Sequence, residues 1–129
     1  MATSFLHAQH SVKRFGGSPN DYIEIHEFID ESKKCLGDVR HRALLHNTFG
    51  PWVTQKVFGR TIVNSENKEV AVREIAEQHI LDDLGFIPTL EDWFQKLPIE
   101  TWMSGSVKKE YNRKEFVENV IRRYKNESI

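Results

Sequence analysis

The sequence predicts a mainly α fold, a compact single-domain bundle of five or six helices with one small β-hairpin at about residues 61–72. Three observations predict it. Apolar residues recur at helical spacing through most of the chain. Glycine and proline punctuate it at helix-length intervals. Only one short stretch carries the β-branched, turn-separated pattern of paired strands. Eight Phe, three Trp and three Tyr in 129 residues supply enough apolar bulk for one core.

Ser4–Phe15 reads as the first helix, with Phe5, Ala8, Val12 and Phe15 on one stripe and Gly16-Gly17 ending it. Ser18-Pro19-Asn20-Asp21 reads as the next helix start, because serine caps, proline suits the first turn and the acid faces orphan amides. Tyr22, Ile25, Phe28, Ile29 and Leu36 carry that second helix to Gly37. Asp38 caps a long helix from Val39 to about Phe58, kinked at Gly50-Pro51. Its two apolar stripes hold His41, Leu44, Leu45, Thr48 and Trp52 on one side. On the other are Val39, Ala43, His46, Gly50, Val53 and Val57, so it reads as the central element. Thr61–Val63 and Glu69–Val72 flank a polar loop and form the hairpin. Arg73–Leu84 is a further helix with Val72, Ile75, Ala76, His79 and Ile80 on its apolar side. Thr89–Asp92 opens a short helix through Leu97, ended by Pro98. Ser104-Gly105-Ser106 reads as a joint, dividing a helical core at 1–105 from an amphipathic extension at 106–129. Asn112-Arg113-Lys114-Glu115 caps the extension, and Phe116, Val117, Val120, Ile121 and Tyr124 line its apolar face.

The net charge of −1 excludes a whole-chain field that drives binding to nucleic acid or a membrane. It divides into +3 for residues 106–129 and −4 for the remainder. The extension mixes both signs and has no aromatics on its basic side, which argues against specific nucleic-acid recognition. Its apolar face is expected to cover its own domain, a second copy or a protein partner. No stretch approaches the ~20 apolar residues of a membrane span. The single cysteine, Cys35, excludes an intrachain disulfide and suits a reducing compartment. With no secretory pattern at the N-terminus, a cytoplasmic protein is expected.

Histidines carry the strongest chemical signal, because His41, His46 and His79 fall inside helical segments that otherwise read as core. Imidazole with carboxylate suits zinc, iron or manganese. His79 shares a helix side with Asp82 and Asp83, three and four residues on. His41 and His46 are separated by about 140° on a straight helix, so only one of them joins His79, and the stripe favours His41. The candidate metal set is therefore His41, His79, Asp82 and His46, with His7 or His26 as further ligands. The competing reading is of core histidines bonded to carbonyls or carboxylates. A second pattern, His26-Glu27-Phe28-Ile29-Asp30, approaches the metalloprotease helix motif but has aspartate in place of the second histidine. His26 and Asp30 as a helix-surface pair is the simpler account. Metal phosphohydrolases of the His-Asp type share only the helical class, since this chain has no His-Asp dipeptide. Cys35 has no base placed beside it by sequence and reads as a core or semi-buried thiol. Arg40, Arg42 and Arg73 are candidates for holding an anionic ligand, or else partners of nearby carboxylates.

The segments HAQHSVKRFGG, IHEFIDESK, RHRALLHNTFG and NSENKEVAVREIAEQHILDDLGFIPTLEDW together resemble a small family of uncharacterised bacterial and bacteriophage proteins, over roughly residues 5–103. His7, His26, His41, His46, His79 and Gly85 match the family pattern. The resemblance implies a phage or bacterial cytoplasmic setting and no particular activity. Three functions follow for test: a metal-dependent, hydrolytic enzyme; an interaction module using the C-terminal helix; and a binder of a small anion.

Overall fold

Thr3 opens the first helix by accepting the Leu6 amide on its hydroxyl at 3.2 Å. In the computed structural model, which describes residues 3–105 and 113–127, that helix (α1) spans Ser4–Phe15, as the spacing predicts. Three members of the predicted stripe are inward, Ala8 in the core with Val12 and Phe15 packed against it, and the buried side extends beyond them. His7 and Ser11 also face inward, while Phe5 is exposed. The reason is that the helix packs on polar partners as well, described below.

The second predicted helix is divided. A 3-10 turn at Pro19–Asp21 leads into α2 (Ile23–Ile29), and a second 3-10 turn covers Glu31–Lys34. Asp21 Oδ2 accepts from Ser18 N at 2.7 Å and Ser65 N at 3.0 Å, so it ties this turn to the hairpin loop. At Asp30 the backbone turns to φ −97° and ψ 2°, and α2 ends. Leu36 therefore lies beyond the helix and is exposed, and Cys35 is exposed rather than core or semi-buried.

The long helix from Val39 to Phe58 is the principal correction. Val39–Ala43 is 3-10, Leu44–Phe49 is a turn, and only α3 (Gly50–Phe58) is α-helical. Asn47 explains the break. Its buried side chain donates to Ala43 O and Leu44 O at 2.8 and 3.0 Å, and accepts from Phe49 N and Gly50 N at 2.8 and 3.0 Å. One amide thus closes the end of one turn and the start of the next. Val39, Leu44, Trp52 and Val57 are exposed, so this segment is not a helix buried on two sides.

Strands β1 (Thr61–Val63) and β2 (Glu69–Ala71) form the antiparallel hairpin, with Ile62 opposite Val70. Asn67 supplies the positive φ of its turn. Helix α4 (Val72–Leu84) follows without a loop and ends at left-handed Gly85. Thr89 and Asp92 exchange capping bonds, and α5 covers Leu90–Phe94, shorter than the stretch predicted to Leu97. The apolar core comprises Ala8, Tyr22, Ile25, Ile29, Val70, Val72, Ile75 and Ala76. It uses α1, α2, the hairpin and the first half of α4.

The chain forms two units, Met1–Phe94 and Gln95–Ile129. The second contains a 3-10 turn at Thr101–Ser104 and helix α6 (Arg113–Glu127). Ser106 of the predicted joint and the Asn112 cap lie outside the described residues. The fold among the described residues is mainly α, with six α-helices and one two-stranded hairpin. None of these helices is long and apolar enough to cross a membrane.

Candidate metal centre

Four polar pairs one helical turn apart converge in the first unit: His7/Ser11 on α1, His26/Asp30 at the end of α2, and Gln78/Asp82 and His79/Asp83 on α4. One potential ligand atom from each of His7, Asp30, His79 and Asp83 lies within 4.8 Å of the other three. Three are buried polar atoms without an aligned hydrogen-bond partner: His7 Nε2, His79 Nε2 and Asp30 Oδ1. His7 Nε2 lies 3.2 Å from Asp83 Oδ1. His79 Nε2 lies 3.3 Å from Asp83 Oδ2 and 3.4 Å from Asp30 Oδ1. Tetrahedral ligands at about 2.0–2.1 Å from an ion are roughly 3.3 Å apart.

The hydrogen bonds around this group fix which ring nitrogens carry protons. Asp82 Oδ2 accepts, so the His7 Nδ1 facing it at 3.0 Å carries the proton and His7 Nε2 is left as a lone pair. Gln78 Nε2 donates to Asp82 Oδ2 at 2.7 Å and to His7 O at 3.1 Å, which turns Gln78 Oε1 toward Ser11. The one Ser11 hydroxyl proton goes to Gln78 Oε1 or His7 O, so Ser11 accepts from His26 Nε2 at 2.8 Å. A neutral His26 then has a lone pair on Nδ1. It accepts from His79 Nδ1 at 2.9 Å, and His79 Nε2 in turn faces both carboxylates, which favour a proton or a cation at that point. Each candidate ligand histidine is thus oriented by a partner on its far nitrogen, as metal-bound histidines are.

His7, His26 and His79 also form a nitrogen-only group. In it, however, the His26–His79 contact already holds a proton, so the set with two carboxylates has the better chemistry for a cation. His7 and His79 stack with ring centroids 3.8 Å apart, which locks both rings.

A family model described as Domain of unknown function (DUF6915) matches residues 2–103. The chain belongs to the DUF6915 family. No curated protein and no solved structure matches it. The matched span of the DUF6915 domain contains every residue of the centre, from His7 to Asp83, and ends before α6.

Within the DUF6915 domain the predicted site residues separate. His79 is in the four-residue group and Asp82 orients His7 from beside it. His46 Nε2 lies 2.9 Å from Asp83 Oδ2 and 3.5 Å from Asp30 Oδ1, at the rim of the group. His41 stands behind His46, edge-on at 6.0 Å, with Nδ1 on Ser32 Oγ at 3.2 Å. The 3-10 turn and the Asn47 bend place His46 inward, a phasing that a straight helix does not allow. Of the arginines, Arg40 pairs with Asp38 at the surface, Arg42 Nη2 lies 3.8 Å from Asp83, and Arg73 lines a separate groove. His10, left without a role by sequence, bonds Asp82 at 2.9 Å. Sequence reasoning gave Asp30 a surface role and passed over Ser11 and Gln78. Their signal is the repeated one-turn spacing of polar residues beside Ala8, Ile25, Ile29, Ile75 and Ile80.

The electrostatics follow from the geometry. Burial disfavours a charged Asp83, but His46, His7 and His79 outweigh it and hold its pKa far below the usual carboxylate range. Asp30 is lowered in the same way, burial being overcome by His79 first and then Lys33. Burial favours the neutral ring of His79, yet Asp30 and Asp83 outweigh burial and raise its pKa. The direct contact with Asp30 and then that with Asp83 contribute most, and the two negative charges at one point add to them. A proton and a metal ion compete for that point.

His26 gives a stability prediction. Burial, then His79 and His7, lower its pKa to about 3. An unfolded imidazole binds its proton near pH 6.5. Between those values the unfolded chain holds more protons, so stability falls as pH drops through the window. Urea titrations of metal-free protein between pH 7 and pH 4 should show the wild type losing about 3 kcal/mol more than His26→Gln. Parallel losses in the two proteins would contradict the assignment.

Proposed function

We propose that this domain binds one divalent transition metal ion, zinc, iron or manganese, through His7, Asp30, His79 and Asp83, and uses it hydrolytically. One observation carries the reading: three buried polar atoms without an aligned hydrogen-bond partner, on His7, His79 and Asp30, converge beside a second carboxylate, Asp83. Burying such atoms unpaired costs several kcal/mol in total, a cost that a shared cation removes. Asp30 and Asp83 both stay ionised and both face His79 Nε2, so a divalent ion displacing a proton there would neutralise their combined charge. Zinc held tetrahedrally by all four residues would be closed, whereas iron or manganese, which accept more ligands, would leave room for water and would lower its pKa. Asp30 also lines a cleft of about 650 Å³ with Glu27, Phe28, Lys33 and Phe58, which supports access to the centre from outside. The lone thiol suits a phage or bacterial cytoplasmic setting for such a protein.

Elemental analysis of purified protein should find about one equivalent of transition metal. Chelation should lower the melting temperature by on the order of 10 °C. Purified protein that contains no transition metal, and whose melting temperature responds neither to chelator nor to added zinc, iron or manganese, would refute the reading.

A second reading rests on α6, where Val117, Ile121 and Tyr124 recur at helical spacing and are exposed. In it α6 docks on a protein partner or a second copy. Ile121→Asp in the full chain should then reduce the complex seen by size-exclusion chromatography with light scattering.

A further inference from the structure

The three arginines expected to share one anion do not share a site, and only Arg73 is left with a vacant guanidinium. Arg40 is held by Asp38 and Arg42 faces Asp83. Arg73 is exposed and makes no ion pair or side-chain hydrogen bond among the described residues. It lines an open groove of about 540 Å³ with Thr48, Phe49, Trp52 and Leu90. That volume falls in the range of small-molecule sites, roughly 300–1,000 Å³.

The groove presents aromatic surface as well as charge. Phe49 and Trp52 stack with centroids 5.3 Å apart and an interplanar angle of 23°. Both are nearly half exposed, at 47% and 44%. Lys56 Nζ lies over the Trp52 ring, 4.9 Å from its centre, a second cation beside the groove. The walls are fixed by the main chain: Thr48 N donates to Pro88 O at 2.9 Å, which holds the start of α3 against the loop leading to α5. Exposed stacked rings are costly to leave in water, and an unpaired arginine beside them selects the charge of what covers them.

We propose that this groove binds a nucleotide, with the planar base against the Phe49–Trp52 pair and the phosphate on Arg73. Base stacking on aromatic side chains is tolerant of base identity, so the groove selects the class rather than one base. The arginine fork matches a phosphate with two parallel donors, and Lys56 adds attraction without geometry. Thr48 contributes a hydroxyl for the sugar or phosphate. The same chemistry is offered by a free mononucleotide and by one unit of a single strand. The site is independent of the metal centre, since none of the four candidate ligands lines it.

Calorimetric titration of the full chain, with chelator present, tests the inference using adenosine monophosphate, adenosine, inorganic phosphate and a short single-stranded oligonucleotide. The monophosphate should bind and inorganic phosphate should not, because the stacking half is absent from phosphate. Adenosine should bind about 10-fold or more weakly than its monophosphate, and Arg73→Ala should bring the two to similar affinity. Trp52→Ala should weaken the monophosphate by roughly 5- to 100-fold. Arg73→Lys should restore part of what Arg73→Ala loses. Both substituted residues are exposed, so the variants retain the fold, which their circular dichroism and melting check directly. Tighter binding of the oligonucleotide identifies a strand as the source, and equal binding a free nucleotide; either supports the site. Absence of monophosphate binding at millimolar concentration, or binding that ignores Arg73→Ala, overturns it.

Discussion

Replacing Asp83 with alanine should abolish high-affinity metal binding and destabilise the metal-free protein at the same time. Its side chain is 2% exposed and faces His7, His46 and His79 at 3.2, 2.9 and 3.3 Å. Arg42 approaches the same carboxylate at 3.8 Å. Removing a ligand costs more than removing a partner that merely orients one, and the latter is worth about 10- to 100-fold in affinity. Asp83→Ala should therefore weaken metal binding by more than about 100-fold. Asp82→Asn should stay within the 10- to 100-fold range, because Asp82 acts through His7. Without metal, taking one partner from a buried charged network costs about 3–5 kcal/mol. Competition titration with a chromophoric chelator reads the first effect and urea denaturation of the metal-free protein the second. Equal affinities for Asp83→Ala and the wild type would remove Asp83 from the ligand set.

The second large effect belongs to Gly50. A Cβ there would lie 1.7 Å from Leu45 O and 2.7 Å from Leu45 C, so alanine cannot be accommodated unless the backbone moves. The glycine is needed for this close approach and not for its dihedral angles, since its φ is not positive. Gly50→Ala should cost about 3 kcal/mol or more, at the upper end for overpacking because a backbone carbonyl cannot rotate aside. The displaced segment carries His46 and Asn47, so metal affinity should fall as well. Gly37→Ala is the control: nothing lies within 4 Å of its added Cβ, and the change should stay within about 0.5 kcal/mol. Urea denaturation of the two variants side by side decides it. A Gly50→Ala protein as stable as Gly37→Ala would show that the Leu45 turn yields without penalty.

Local chemistry was readable in this chain where one segment suffices. Thr3 and Gly16 bound α1, Gly85 ends α4, and the β-branched residues on either side of Asn64–Lys68 make the hairpin, all from neighbouring residues. The Val39–Phe58 segment was misread because its apolar periodicity suits an α-helix, whereas a single amide, Asn47, has more hydrogen bonds to gain by interrupting it. His79 and the adjacent aspartates were visible as a helix-side pattern. Asp30, Ser11 and Gln78 were not, because each acquires its role from a helix far along the chain. Ser11 meets Gln78 across 67 residues and His26 meets His79 across 53. Hydrophobic periodicity marks what faces inward only when the interior is apolar. Here the inward sides of α1 and the second half of α4 also carry polar groups, so the same arithmetic found Ala8, Val12 and Phe15 on α1 and missed His7 and Ser11 beside them.

The span of the centre along the chain has one more implication. Residues 7, 30, 79 and 83 come from the first, second and fourth helices, and an ion on them closes loops of tens of residues at once. In an unfolded chain such closure is entropically costly, and cost grows with loop length. A metal that holds these positions thus works as a removable cross-link. A chain with one cysteine has no intrachain disulfide to staple its distant segments, and such an ion would give it a clasp that a chelator opens without breaking a covalent bond.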